Sequence, residues 1–398
     1  MGRKVESRGW VALLLLLAVG AKADEPMHFD FGKGGNAAGH PAYDPARGFG
    51  FEATATGQPE RFSIRTPEGN YRVTVEASRS RGTALAMIHA EQRRLMRTDT
   101  TRGRGRTVSF VVNVRTPDLP ALPENATGGT RVALKPREIG SPTWDDRLTL
   151  QIAPDFRGIS TIRIERTTVP TLYLAGDSTV TDQPVAPNAS WGQFVTRYFD
   201  DGIAVANHAE SGESLKSFVT EHRFDKLLSN LNAGDWVMIQ FGHNDQKTQW
   251  PQTYADAATT YRSWLRTYIA EIRRRGATPL LVTSPERRNF DTDGHIRPTL
   301  AEYATAMRAV ASEEKVALLD LNAVSIRFYE ALGPALAARA FAEGGDDKTH
   351  HNEYGAQQLA RCVIEALKAA NTALTAGLEK HIARDAGTFD VTHPPLPN

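Results

Sequence analysis

Residues 171–179 read Thr-Leu-Tyr-Leu-Ala-Gly-Asp-Ser-Thr. An apolar run of strand length enters a glycine and then a polar turn, which is the carboxyl end of a buried strand. The pattern recurs downstream. Strands are expected at Thr171–Ala175, Ile203–Ala206, Trp236–Phe241, Pro279–Thr283 and Ala317–Leu321. Helical patterns fall between or after them, at Trp191–Phe199, Lys216–Leu228, Tyr254–Arg274, Leu300–Ala311 and Glu353–Ala369. Strands alternating with helices predict an α/β/α sandwich on a parallel sheet. In such a sheet the functional loops gather at the carboxyl ends of the strands.

Upstream of about Thr168 the character changes. Tyr71–Ala77, Thr107–Val114, Leu148–Ile152 and Ser160–Glu165 alternate apolar and polar residues, with Gly, Pro, Asp and Asn turns between them. This predicts an all-β antiparallel sandwich. Pro117–Pro142, rich in Pro and Gly, is expected to be a long surface loop. Further out, Arg3, Lys4 and Arg8 precede the apolar run Trp10–Gly20 and the small-x-small pattern Ala21-Lys22-Ala23. This is expected to be a signal peptide with cleavage after Ala23, with an N-terminal membrane anchor as the other reading; the run is too short to span a bilayer stably, which needs about 20 apolar residues. The expected organisation is therefore a leader at 1–23, a β-sandwich at 24–168, an α/β unit at 169–387 and a Pro-rich tail at 388–398. The expected location is secreted or periplasmic.

A formal charge of +1 provides no general field for nucleic acid or anionic lipid. No partner of either kind is expected once the leader is removed. The single cysteine, Cys362, excludes an internal disulfide and a thiolate zinc cluster, and reads as a small buried residue of an apolar helix.

Four short stretches carry candidate chemistry. In Gly176-Asp177-Ser178-Thr179 a serine stands on a strand-end turn and would need a base to become nucleophilic. In Asn207–Ser214, Gly212 can present a bare backbone N–H. In Phe241-Gly242-His243-Asn244-Asp245, the Asn244 amide can donate to an oxyanion, and such a donor is worth about 10²–10³ in rate. In Asp347-Lys348-Thr349-His350, a carboxylate three residues ahead of a histidine can hold one ring nitrogen and leave the other free for a serine proton. Taken singly, each is also what an ordinary turn or helix cap contains. His351, with Asp346 or Asp347, is an alternative base, and a His350–His351 metal pair a further reading, although no HExxH or third ligand accompanies it.

As a set, GDST, Gly212, GxND and DxxH resemble, in order, the four blocks of the SGNH/GDSL hydrolases. The resemblance covers roughly Thr171–Ala370. It implies a flavodoxin-like fold and a serine esterase, with Ser178 as nucleophile, His350 as base and Asp347 as its orienter. The N–H groups of Ser178 and Gly212 and the Asn244 amide become the oxyanion hole; no metal or organic cofactor is implied. The family's GDSL ends in leucine where this chain has Thr179. Ser190-Trp191-Gly192, FGHND, Ser284-Pro285 with Arg287-Arg288, and DKTH narrow the resemblance to the rhamnogalacturonan acetylesterases, which deacetylate pectin. His28–Gly32 and Tyr43–Glu52 resemble the galactose-binding-like β-sandwich module that precedes some bacterial members. The implied partner is an acetylated polysaccharide or oligosaccharide. A xylan esterase, a general lipase or thioesterase, and an inactive carbohydrate-binding surface protein are the competing readings. Trp191, Trp250, Tyr254 and Arg287 are expected to line a sugar cleft by stacking and by contacts to uronate carboxylates; core packing is the other reading of Trp191.

Overall fold

In a computed structural model, the structure describes residues 25–31, 41–53, 60–77, 87–98, 106–370 and 372–397. The expected leader lies outside these residues. Among them, nine strands precede Pro170: β1 (Met27–Asp30), β2 (Phe49–Phe51), β3 (Arg61–Arg65), β4 (Gly69–Ala77), β5 (Met87–Ala90), β6 (Arg94–Thr98), β7 (Thr107–Val114), β8 (Arg147–Ala153) and β9 (Ile159–Arg166). They form two antiparallel sheets, in the orders β1-β9-β4-β7 and β2-β3-β8-β5-β6. The alternation on β4 has the expected consequence: Tyr71, Val73 and Val75 face the core while Arg72, Thr74 and Glu76 do not. Between the sheets Phe31, Phe51, Phe62 and Phe156 pack with ring centroids 5.1–6.4 Å apart, a spacing that favours edge-on and offset contacts.

The segment joining β7 to β8 is largely the exposed surface loop expected of Pro117–Pro142, but its two ends are tied down. It lies along the α/β unit, where the Ala133 N–H donates to the Glu221 carbonyl (3.0 Å) and Lys226 Nζ donates to the Asp118 carbonyl (2.7 Å). Its prolines and glycines mark a chain with little regular structure, whose backbone bonds are mostly internal, such as Leu119 N–H to the Thr130 carbonyl and Val132 N–H to the Pro117 carbonyl.

Five strands, β10 (Thr171–Gly176), β11 (Ala204–Asn207), β12 (Trp236–Gln240), β13 (Thr278–Val282) and β14 (Ala317–Leu319), build one parallel sheet in the order β11-β10-β12-β13-β14. In sequence terms this is the flavodoxin-like 2-1-3-4-5 order. Every residue of β10 is buried, because helices cover both faces. On one face lie α1 (Trp191–Val195), α6 (Leu321–Ala338) and α7 (Glu353–Ala370), packing Trp191, Phe328, Leu359 and Val363 against the sheet. On the other lie α2 (Leu215–Thr220), α3 (Arg223–Asn230), α4 (Thr260–Arg274) and α5 (Ala301–Glu314), packing Phe218, Leu227, Tyr268 and Met307. Cys362 is buried in α7, and Phe389 and Val391 of the Pro-rich end pack onto the first cluster. The fold expected from the alternation is present. Its strand order reverses at β10, so the crevice for a ligand lies beyond the carboxyl ends of β10 and its neighbours β11 and β12.

Candidate active site

The chain leaves β10 through a tight turn. Asp177 Oδ1 accepts from the Thr179 N–H and the Thr179 hydroxyl, both at 2.9 Å, and the Asp177 carbonyl accepts from the N–H groups of Val180 and Thr181 at 3.0 Å. This aspartate-capped turn pushes Ser178 outward at the end of the strand. Asp177 is itself fully buried, with Oδ2 3.2 Å from His243 Nδ1. Burial alone would raise its carboxyl pKa, but His243 and the Thr179 donors outweigh this and hold it below the ordinary range.

Ser178 Oγ lies 2.9 Å from His350 Nε2, and His350 Nδ1 lies 2.6 Å from Asp347 Oδ2. The other Asp347 oxygen accepts from the backbone N–H groups of Thr349 (2.6 Å) and His350 (2.8 Å). Burial works to raise the Asp347 pKa, yet these N–H groups and the imidazole prevail and keep it low. An ionised Asp347 can only accept, so His350 must carry its proton on Nδ1. Nε2 is then the acceptor that faces the serine.

His351 points the other way. It is wholly buried, with Nε2 2.8 Å from the Tyr329 hydroxyl and its ring 4.4 Å from that of Phe341. Burial pushes its pKa down to about 3, and Asp346 is exposed. The alternative base and the metal pair both fail on this geometry, since the two rings face different neighbours.

Gly212 follows β11 with φ +87°, a conformation that favours glycine. Its N–H and that of Ser178 donate to no acceptor among the described residues. Gln183 Nε2 joins the two loops, donating to the Ser178 carbonyl at 2.7 Å and reaching the Ser211 hydroxyl at 3.4 Å. Asn244 Nδ2 donates to the Glu213 carbonyl (2.9 Å), and its Oδ1 accepts from Lys247 Nζ (2.8 Å). The lysine can only donate, which fixes the side of the amide that carries the oxygen. Gln183 and Lys247 did not emerge from the sequence, because a lone polar residue in a loop has no pattern to betray it.

Of the expected cleft residues, Trp191 is corrected. It is fully buried in the core with its indole N–H donating to Gln240 Oε1 at 2.7 Å, because it opens a helix that packs on the sheet. Trp250 is exposed, with Lys247 Nζ 4.6 Å from its ring centroid. Arg287 spans two loops of the site, donating to Thr349 Oγ1 at 3.3 Å and to the His243 carbonyl at 3.4 Å. Tyr254 is half-buried beside Trp250, donating its N–H to the Trp250 carbonyl (2.9 Å).

A serine hydrogen-bonded through histidine to an ionised carboxylate, with N–H groups unpaired among the described residues on the same loops, can transfer an acyl group from an ester to water. The fold and this geometry define a carboxylic ester hydrolase. The chain belongs to the GDSL-like Lipase/Acylhydrolase family, whose model matches residues 174–358. It is similar to rhamnogalacturonan acetylesterase RhgT of Bacillus subtilis (strain 168), at 40% identity over 210 residues, which are 50% of this chain and 89% of that one. It is also similar to the uncharacterized esterase YxiM of the same organism, at 26% identity over 403 residues, 90% of this chain and 97% of that one. The crystal structure of YxiM superposes with a TM-score of 0.51 at 25% identity, covering 88% of this chain and 100% of that one.

Proposed function

We propose that the protein removes O-acetyl groups from a plant cell-wall polysaccharide, rhamnogalacturonan of pectin, through an acyl-enzyme on Ser178. The observation that carries the reading is the continuous contact from Ser178 Oγ through His350 to Asp347. As Oγ attacks the acetyl carbonyl, Nε2 of His350 takes its proton, and Asp347 holds the resulting imidazolium. The carbonyl oxygen becomes an oxyanion received by the N–H groups of Ser178 and Gly212 and by Asn244 Nδ2. His350 returns the proton to the departing sugar oxygen, leaving an acetyl ester on Ser178. Water then attacks with His350 as base, and collapse of the second oxyanion releases acetate and restores the serine.

The polymer is inferred from the similarity to RhgT together with Arg287 and Trp250, a cation for uronate carboxylates and an aromatic face for sugar stacking. The positive start, the apolar run Trp10–Gly20 and Ala21-Lys22-Ala23 support secretion or a periplasmic location, with Asp24 as the mature N-terminus. Acetate release over a panel of acetylated rhamnogalacturonan, homogalacturonan and xylan, with Ser178→Ala as control, tests the reading. Preference for rhamnogalacturonan is expected, and equal or better rates on xylan would overturn the substrate.

A further inference from the structure

Gly212 supplies a backbone N–H, and a glycine at positive φ can turn the peptide ahead of it at little cost. Something must therefore hold that peptide. The Ser211 carbonyl accepts from Lys135 Nζ at 2.7 Å and from Arg137 Nη2 at 2.6 Å. Both cations come from the segment between β7 and β8, outside the α/β unit and outside every motif of the site. In a trans peptide the C=O and the following N–H point in opposite directions. Two cations on the Ser211 oxygen thus leave the Gly212 N–H facing away from them. Gln183 holds the same loop to the Ser178 carbonyl. Charge-assisted bonds to the carbonyl also polarise the N–H at the far end of the peptide.

The cations are themselves fixed. Lys135 Nζ donates to the wholly buried Glu213 carboxylate, and Arg137 Nε donates to Glu210 Oε1 at 2.7 Å. Their segment is anchored by Glu138, whose carboxylate accepts from the Lys135 N–H (2.8 Å), Trp144 Nε1 (2.9 Å) and both terminal nitrogens of Arg223 (2.9 and 2.6 Å).

We propose that Lys135 and Arg137 are positioning residues for ester hydrolysis, by which the N-terminal β-sandwich locks the Ser211–Gly212 peptide with its N–H toward the oxyanion. This rests on the reading of Ser178 as nucleophile and Gly212 as oxyanion donor. The test uses the full chain and 4-nitrophenyl acetate, with working sites counted by a fluorophosphonate that labels the nucleophilic serine. Complete loss of one such donor costs about 10²–10³; kcat per titrated site should fall roughly tenfold in Arg137→Met and about 10²-fold in Lys135→Met. KM should stay within about twofold, since the peptide acts on the transition state and not on the bound ester. Lys135→Arg should recover most of the loss. Arg137 is half-exposed, so its variant should fold normally and decides the matter if Lys135→Met does not. Wild-type kcat per site in Arg137→Met, or a loss carried by KM alone, overturns the proposal. An active Ser178→Ala would instead bring down the assignment of the site beneath it.

Discussion

At Asp347 one carboxylate orients a ring with one oxygen and, with the other, closes the turn that carries the ring. Ser178→Ala and His350→Ala should each lower kcat by about 10⁵–10⁶-fold with the fold intact, and Asp347→Asn should cost about tenfold less or better. His351→Ala behaves differently: it empties a buried aromatic site, so it should lower stability by about 2–4 kcal/mol while kcat per folded molecule is largely kept. Turnover and urea unfolding of the four variants check this, and an inactive but stable His351→Ala would reverse the roles of the two histidines. Asp245 carries a second expectation. It is fully buried, Oδ1 accepts from the Leu215 N–H and Oδ2 has no hydrogen-bond partner among the described residues. Burial pushes its carboxyl up to about 8, against about 3.9 in an unfolded chain. Between those values the folded protein binds a proton that the unfolded chain has lost, so this contribution to stability declines as pH rises from about 4 to about 8 and is level beyond. The unfolding free energy of Asp245→Asn minus that of wild type should therefore grow with pH through that window. A constant difference would mean that Asp245 is ionised at neutral pH. The residues now seen in hydrogen-bonded contact were legible because motif order and chemistry agreed. Trp191 was not, since a tryptophan opening a helix reads the same whether it faces sugar or core.

Among elements, the strands of the parallel sheet were readable as apolar runs, and their ends fall within a residue or two of those expected. The helix α6 was missed. Gly333, at φ +72° and ψ 166°, leaves helical geometry before Pro334, so the stretch is two short helical pieces across a kink, neither with a clear period of its own. In the sandwich, β1, β2, β3, β5 and β6 were not delimited as strands, because most are short and Glu91 and Arg93 turn the β5–β6 hairpin at positive φ without a glycine. The start of α1 yields a sharp prediction. A Cβ on Gly192 would fall 2.0 Å from the Val180 carbonyl oxygen and 2.9 Å from Asn207 Nδ2. The first of these is backbone and cannot swing aside, so Gly192→Ala should cost about 3 kcal/mol or more. It should also displace the turn that bears Ser178, lowering turnover. A wild-type urea midpoint would contradict the close approach.

For the molecule as a whole, the shift in composition near Thr168 was visible, but the union of the two units was not. It is made largely of single cations at strand ends and on α3: Arg94 with Asp182 at 2.6 Å and nearly inaccessible to water, Arg115 on the Asn207 carbonyl, Arg223 with Glu138, Lys226 with Glu68. No periodicity marks such residues. Although Leu95 of β6 packs into the first apolar cluster, much of this boundary is ionic and its halves can be solvated when parted, so the fragment Pro170–Asn398 should fold, as near-ultraviolet circular dichroism would show. Its turnover of 4-nitrophenyl acetate should nevertheless fall by about 10²–10³, as for a lost oxyanion donor. Were the sandwich only a sugar-binding module, small-ester turnover by the fragment would be unchanged and only action on polymer would suffer. The distance along the chain between the reacting partners has its own consequence. Ser178 and His350 are 172 residues apart, one at the first strand of the sheet and the other just before its last long helix. Contacts of such separation form late, after most of the chain has been ordered. Hydrolysis is therefore silent in any form whose parallel sheet is incomplete, and the return of activity after dilution from denaturant is a clock for completion of that sheet.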